Sequence, residues 1–169
     1  ALRESASYII KEVDNLRRTA NEFMEISKES PLRKETFDMK DLIQETIAPY
    51  KKVLAHRIKF VEDFDGTEFP FAGDRGKLAV ALRNLFTNAI EAIRKKGEIG
   101  IHVERKEGSL RVVISDTGMG IPDDKLPKIF DLYFSTKDVG TGLGLPIAKK
   151  IISDHAGSIS ACRPRGTLR

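Results

Sequence analysis

The sequence predicts an α+β fold, an α/β sandwich in which a mixed sheet carries helices on one face and a long N-terminal helix precedes it. Three observations support this prediction. Residues 1–30 contain neither proline nor glycine and have helical periodicity, whereas residues 58–116 alternate strand-like segments with one strong helix. A last helical segment follows a glycine-rich stretch near residue 140.

The first 30 residues predict a bundle helix. Apolar residues recur in it at heptad spacing, as expected for a seam that packs against a partner helix. The seam comprises Leu2, Ala6, Ile9, Val13, Leu16, Ala20 and Phe23. Pro31 ends this helix, and residues 31–37 are interpreted as a linker.

A second helix is predicted over residues 40–57, with a kink at Pro49. Its apolar side comprises Leu42, Ile43, Ile47 and Leu54. Two strands are predicted after it, "IKFVEDF" and, past a turn at Asp65-Gly66, "FPFAGD". Two more, "IGIHVER" and "SLRVVISD", follow the next helix and are joined by a turn at Glu107-Gly108. The last helix is predicted over residues 145–155, with Pro146 near its start and Gly157 just past its end.

The composition is that of a globular chain. Of the 169 residues, 40% are hydrophobic and 32% are charged, and lysines and arginines alternate with acids to give a net charge of +4. This mixed surface argues against nucleic acid as a partner. The single cysteine, Cys162, rules out an internal disulfide and fits a reducing compartment. We therefore expect a cytoplasmic chain, and membrane anchoring of a full-length protein is left open.

The helix predicted over residues 75–95 has an apolar face and a separate polar stripe. The apolar face comprises Leu78, Leu82, Leu85, Ala89 and Ile93, and the stripe comprises Asn84, Asn88, Glu91 and Lys95. Asparagine is a poor helix former, so two of them in mid-helix cost stability. Their amide oxygens suit Mg²⁺ that is held mainly by phosphates and water. An exposed polar face explains the same pattern equally well.

Two glycine-containing stretches are candidates for nucleotide contacts. In "SDTGMGIP", Asp116 can accept a hydrogen bond from an exocyclic amine, and Gly118 and Gly120 allow a base close to the backbone. A simple turn is the more frequent meaning of Asp-Thr-Gly. In "DVGTGLGLP", three alternate glycines precede a helix, which favours either an anion site or a flexible linker.

The segment "KIFDLYFSTKD" lies between these two stretches. Phe130 and Phe134 can anchor it as a loop, and Ser135, Thr136 and Lys137 offer donors for phosphate. A core turn with a solvated lysine is the alternative.

Taken together, four segments in this order resemble the N, G1, F and G2 boxes of the ATP-binding domain of sensor histidine kinases. They are "RNLFTNAIEAI", "DTGMGIP", "KIFDLYFSTK" and "GTGLGL". The wider superfamily includes DNA gyrase B subunits and heat-shock chaperone ATPases, but a segment similar to the F box before "GTGLGL" points to the kinases. The resemblance covers residues 38–167.

The resemblance implies ATP and Mg²⁺ as cofactors. It implies that Asn88 binds the metal, that Asp116 reads the adenine amine, and that Asn88 and Lys137 are the catalytic residues. The implied nucleotide-binding set is Asn84, Asn88, Glu91, Lys95, Asp116, Gly118, Gly120, Ile121, Phe130, Thr136, Lys137, Gly140, Thr141, Gly142, Leu143 and Gly144. Glu91 departs from the family, where many members carry a lysine, and Lys95 is expected to replace that lysine in part.

The sequence lacks the acceptor box of the family, because none of His56, His102 and His155 has the flanking residues that mark it. Structural roles are favoured for His102 and His155. Residues 1–30 resemble the second helix of the dimerisation and phosphotransfer hairpin, and residues 38–169 resemble the catalytic domain without its last strand. We therefore expect a fragment.

The expected function is that of a protein-histidine kinase domain that donates the γ-phosphoryl group of ATP to a histidine on a helix supplied elsewhere. The implied partners are ATP, that acceptor helix, the receiver domain of a response regulator, and a second copy that pairs through the N-terminal helix. The alternative is a non-catalytic nucleotide-binding module that docks a partner through residues 1–30.

Overall fold

The computed structural model describes residues 31–135 and 141–163, together with Ile10, Val13, Ala20 and Met24. In chain order, the elements are β1 (Glu35–Asp38), α1 (Met39–Leu54), β2 (Ile58–Phe64), β3 (Pro70–Gly73), α2 (Arg75–Ala92), β4 (Gly97–Lys106), β5 (Ser109–Asp116), a 3-10 turn (Leu126–Lys128) and α3 (Gly144–Asp154).

The main sheet has the strand order β2-β4-β5 and is mixed, since β2 runs parallel to β4 and β5 runs antiparallel to it. Glu107 and Gly108 join β4 to β5 with φ of 52° and 78°, the geometry that two-residue hairpin loops favour. A second, two-stranded sheet pairs β1 with β3 in antiparallel register. The predicted mixed sheet and the turn at Glu107-Gly108 are confirmed.

The three helices pack on one face of the main sheet. Along β4, Ile99, Ile101 and Val103 are at most 1% exposed, and the residues between them face the other side. The helices bury Ile43, Ile47, Phe86, Ile147 and Ala148 in the same core. The α+β prediction is therefore confirmed for the part of the chain that the structure describes.

The segment interpreted as a linker contributes residues 35–37 to β1, where Phe37 lies opposite Phe71 of β3. Asp38 then caps α1: its Oδ1 accepts the Lys40 N–H at 2.7 Å, and its Oδ2 accepts the Phe69 N–H at 2.9 Å. Of residues 1–30, the four described ones are helical and exposed, and the rest of the predicted seam lies outside the described residues.

Helix α2 ends at Ala92, so the prediction that it reaches residue 95 is wrong. The physical reason is that Ile93 turns into extended backbone (φ −89°, ψ 104°) and buries its side chain. Arg57 stabilises this end, because its Nη1 donates to the Ile93 carbonyl at 2.7 Å and its Nη2 to the Ile90 carbonyl at 3.4 Å. Lys95 lies in the bend that follows and does not continue the asparagine stripe.

Helix α3 runs one residue earlier than predicted at both ends. The left-handed residue after it is Ala156 (φ 59°) and not Gly157, whose N–H donates to the Ile152 carbonyl at 2.9 Å. Residues 157–163 form neither helix nor strand. None of the described helices is long and apolar enough to cross a membrane.

Both ring nitrogens of His155 have backbone partners. Its Nε2 accepts the Asp74 N–H at 2.9 Å, and its Nδ1 lies 2.7 Å from the Ile151 carbonyl, to which it donates. These bonds tie the end of α3 to the start of α2 and support the predicted structural role of His155.

Candidate functional site

Two asparagine side chains project from the middle of α2, and both are half-buried. The Asn84 Nδ2 donates to the Val80 carbonyl at 3.2 Å, and the Asn88 Nδ2 donates to the Asn84 carbonyl at 3.0 Å. Such bonds to the preceding turn hold each amide in one orientation. Each amide thus uses an N–H of its nitrogen for the helix itself, and its oxygen is the acceptor atom of the group.

The start of α3 lies against these asparagines. A Cβ atom built on Gly144 would lie 3.1 Å from Asn84 Oδ1 and 3.7 Å from Asn88 Nδ2. The N-cap residue of α3 is the buried Leu143, and no side chain among the described residues caps the helix. The start of α3, where the helix dipole is positive, therefore lies next to the two amides. We call Asn84, Asn88 and Gly144 the amide cluster.

The segment after the 3-10 turn is joined to the start of α3. The Tyr133 N–H donates to the Gly142 carbonyl at 3.1 Å, and both residues have positive φ, 62° and 66°. A Cβ on Gly142 would lie 2.5 Å from the Tyr133 carbonyl carbon, so only glycine fits there. Phe130 is half-buried, and the Lys149 ammonium lies 5.8 Å from its ring centroid.

One of the remaining predicted residues, Thr141, lies next to this join. Thr141 is half-buried, and its Oγ1 accepts the Leu143 N–H at 3.4 Å. Thr136, Lys137 and Gly140 lie outside the described residues.

The loop after β5 packs on the C-terminal end of α2. The exposed Asp116 accepts the Gly118 N–H at 2.8 Å through its Oδ1. The Met119 N–H donates to the Ala92 carbonyl at 3.1 Å, and a Cβ on Gly118 would lie 2.5 Å from Ala92 Cβ. The loop can approach α2 this closely only because residue 118 is a glycine. We call Asp116, Gly118 and Ala92 the loop cluster.

The loop continues through Gly120, whose φ is +69°, to the half-buried Ile121. The Ile121 carbonyl accepts a hydrogen bond from Arg163 Nη2 at 2.8 Å. Arg163 Nε also lies 3.3 Å from Asp123 Oδ1. The chain that follows α3 thus contacts the same loop from its other end.

Helix α2 carries both clusters on one face. Asn84, Asn88 and Ala92 are spaced four apart and therefore share a side of the helix over about 12 Å of its axis. Glu91 and Lys95 are exposed, and Lys95 lies beyond the helix. The structure thus brings Asn84, Asn88 and Gly144 together at one point, and Asp116 and Gly118 together at another.

Sequence reasoning missed Ala92 and Arg57. Ala92 has a signal in the sequence, since a small residue four positions after Asn88 continues the same helix face. Arg57 has none, because it contacts the end of α2 from 36 residues away.

Residues 73–168 match the family described as histidine kinase-, DNA gyrase B- and HSP90-like ATPase. The chain is 31% identical over 159 residues to the signal transduction histidine-protein kinase AtoS of Escherichia coli (strain K12). The aligned region covers 93% of this chain and 26% of AtoS. It is 35% identical over 159 residues to the sensor histidine kinase ZraS of Salmonella typhimurium. That aligned region covers 92% of this chain and 34% of ZraS. The chain therefore spans about a quarter to a third of the length of these relatives.

A similar arrangement occurs in a solved structure. The histidine kinase ThkA, in complex with the response regulator protein TrrA, superposes with a TM-score of 0.78 at 32% identity and covers 93% of this chain and 46% of that one. The chain belongs to the histidine kinase-, DNA gyrase B- and HSP90-like ATPase family, and within it corresponds to the ATP-binding catalytic domain of histidine kinases.

Proposed function

We propose that the domain binds Mg·ATP between the amide cluster and the loop cluster and donates the γ-phosphoryl group to a histidine on a separate dimerisation helix. The observation that carries this proposal is the approach of the uncapped start of α3 to Asn84 and Asn88, with Gly144 in between. An uncapped helix start attracts anions, and the glycine keeps space there for phosphate oxygens.

The donor chemistry of the amide cluster fits Mg²⁺. Amide oxygens are hard, neutral ligands, and Asn88 would supply one of them. Among residues 31–135 and 141–163, no three His, Cys, Asp or Glu side chains are grouped to hold a metal ion, so phosphates and water would supply the other ligands. When bound, the metal would neutralise charge that develops on the phosphoryl group.

The loop cluster suits the adenine end of the nucleotide. Asp116 is exposed, and its bond to the Gly118 N–H orients the carboxylate to accept the exocyclic amine. A Cβ on Gly120 would meet no described atom within 4 Å, so the backbone there is open to a flat ring. Because α2 carries both clusters, one rigid helix would set the distance between base and phosphates.

The transfer itself would depend on positioning and on charge, with Lys137 as the proposed cation beside the γ-phosphate. His155 and His102 are poor acceptors, since His155 uses both nitrogens for the fold and His102 Nδ1 lies 2.8 Å from Asp63 Oδ2. We therefore propose an acceptor histidine on a helix that packs against residues 1–30.

The proposed setting is the cytoplasm, with a dimer formed through residues 1–30 and a response regulator receiver domain as the next phosphoryl acceptor. The structure of ThkA with TrrA supports the last point by similarity.

Incubation with γ-labelled ATP tests the proposal. The chain alone should remain unlabelled with Mg·ATP, and addition of a peptide carrying the acceptor helix should give acid-labile label on that peptide. Asn88→Ala should abolish the transfer without unfolding the domain. Acid-labile label on the chain itself, lost on mutation of His56, His102 or His155, would overturn the assignment of a separate acceptor. ATP binding without transfer to any acceptor helix would favour the regulatory module instead.

A further inference from the structure

We propose that Arg57 is a positioning residue for the base end of the nucleotide site, acting through the last turn of α2. This inference rests on the proposed function, in which the loop cluster receives adenine. Arg57 lies in the turn between α1 and β2 and is half-buried, and its guanidinium donates to the carbonyls of Ile93 and Ile90, which are not members of the loop cluster.

The contacts of Arg57 enclose the end of α2. Its Nη1 donates to the Ile93 carbonyl at 2.7 Å and its Nη2 to the Ile90 carbonyl at 3.4 Å. Both are carbonyls at the helix end, where intrahelical donors run out and the dipole is negative. A guanidinium satisfies two such groups at once because its donors form a planar fork.

One of the two residues between these carbonyls on the chain, Ala92, contacts the loop that follows β5. The Ala92 carbonyl accepts the Met119 N–H at 3.1 Å, and Gly118 packs against the Ala92 methyl group. A shift of the last turn by a few tenths of an ångström would therefore move Gly118, whose N–H orients the Asp116 carboxylate. Arg57 would fix the position from which the carboxylate meets the base.

A second connection from Arg57 reaches the same loop through the backbone. The Arg57 carbonyl accepts the Gly97 N–H at 3.0 Å at the start of β4. The next residue, Glu98, exchanges hydrogen bonds with Thr117: its N–H donates to Thr117 Oγ1 at 2.9 Å, and its carbonyl accepts the Thr117 N–H at 3.1 Å. Substitution of the Arg57 side chain leaves this connection in place, so the loop should be displaced and not lost.

The amide cluster should be insensitive to Arg57. Asn84 and Asn88 lie one to two turns before the end of α2, and their amides are held by carbonyls within the helix. The proposal therefore predicts a selective effect on the base end. A general loss of folding would weaken both ends together.

The test measures the dissociation constant of a non-hydrolysable ATP analogue by calorimetry for Arg57→Met and for Arg105→Met. Arg105 is the matched control, because its Nη2 also donates to a backbone carbonyl, that of Pro70 at 2.7 Å, but away from α2. We expect Arg57→Met to bind the analogue about tenfold more weakly than wild type. This is the loss expected when the Asp116 carboxylate no longer makes its charge-assisted hydrogen bond to the base. Arg105→Met should bind like wild type.

Two further measurements separate positioning from a purely structural role. In the Asp116→Asn background, Arg57→Met should cost no more than about twofold, since both changes act on the same contact. The factor by which Mg²⁺ strengthens binding should be the same in Arg57→Met and wild type. Arg57→Lys, which can reach only one of the two carbonyls, should fall between the two and serves if Arg57→Met does not fold.

Equal losses for Arg57→Met in the wild-type and Asp116→Asn backgrounds would overturn the inference, as would unchanged affinity in Arg57→Met. If wild type itself fails to bind the analogue, the proposed function is wrong instead.

Discussion

The starts of α2 and α3 are built in opposite ways. At the start of α2, Asp74 is 8% exposed; its Oδ1 accepts the Lys77 N–H at 2.9 Å and its Oδ2 the Arg33 N–H at 3.0 Å. Its own N–H donates to His155 at 2.9 Å. At the start of α3, Leu143 provides no side-chain cap, and Gly144 faces two amides.

This difference indicates which end serves the fold and which serves a ligand. Helix starts carry unsatisfied donors that must find partners. The chain itself supplies them at α2, where the cap also joins residue 33 and the end of α3. At α3 Thr141 Oγ1 accepts the Leu143 N–H at 3.4 Å, none of the described side chains caps the donors that follow, and we propose that phosphate oxygens do so. Mutations at the two starts should therefore affect different properties.

The largest expected effect is on stability, from Asp74→Ala. This change removes the acceptor of two backbone N–H groups in a buried place, and we expect a loss of about 2–4 kcal/mol in the free energy of unfolding. Urea denaturation measures it. The fraction of Asp74→Ala that remains folded should bind ATP with the affinity of wild type. If Asp74→Ala instead kept its stability and lost affinity for ATP, the start of α2 would be the ligand site.

Asn88→Ala should affect binding and leave folding nearly unchanged. We expect Mg²⁺-dependent affinity to fall at least about tenfold, the loss typical even for a supporting contact of a metal site. Calorimetry with and without a chelator measures the metal-dependent part. If chelator weakens the mutant as much as it weakens wild type, Asn88 is not a metal ligand.

A pair of glycines gives a direct comparison of the two starts. Gly76 and Gly144 each lie in the first turn of a helix, and a Cβ would lie 3.5 Å from Asp74 Oδ1 at residue 76 and 3.1 Å from Asn84 Oδ1 at residue 144. Alanine favours a helix over glycine by up to about 1 kcal/mol. Gly76→Ala should therefore stabilise the protein and leave ATP binding unaltered.

Gly144→Ala should instead lower the affinity for ATP several-fold, because the added methyl group would occupy space proposed for phosphate. Thermal melts and analogue titrations on the two variants measure both properties. Equal ATP affinity in the two variants would mean that the start of α3 is not a ligand site.

The smallest effect concerns acid pH. Burial acts to raise the pKa of Asp74, but the N–H groups of Lys77 and Arg33 and the charge of Lys77 outweigh it and hold the pKa below its usual 3.8. A lowered pKa contributes stability that is present above pH 3.8 and lost as the pH falls through the folded-state value. Urea midpoints should show that Asp74→Asn flattens this acid limb, and a parallel decline in both proteins would contradict it.

Features encoded in local periodicity could be predicted from the sequence, and those that depend on distant partners could not. The fourfold spacing of Asn84 and Asn88 is visible without a structure. Strand β1 is not, because its four residues are held by pairing with β3, and neither is the end of α2, which depends on Arg57. In the site, the approach of Gly144 to the asparagines could be inferred only through family resemblance.

The hydrogen bonds of His155 hold α3 at the end opposite Gly144. Its C-terminal end is held to the start of α2 at Asp74, whereas Gly144 lies at the opposite end. The 11 residues of the helix make an arm about 16 Å long. A rotation of α3 by about 10° about its His155 end would move Gly144 by roughly 3 Å. This displacement is comparable to the 3.1 Å between a Cβ on Gly144 and Asn84 Oδ1. A small change in the direction of α3 at His155 would thus become a larger displacement at the end that faces the asparagines.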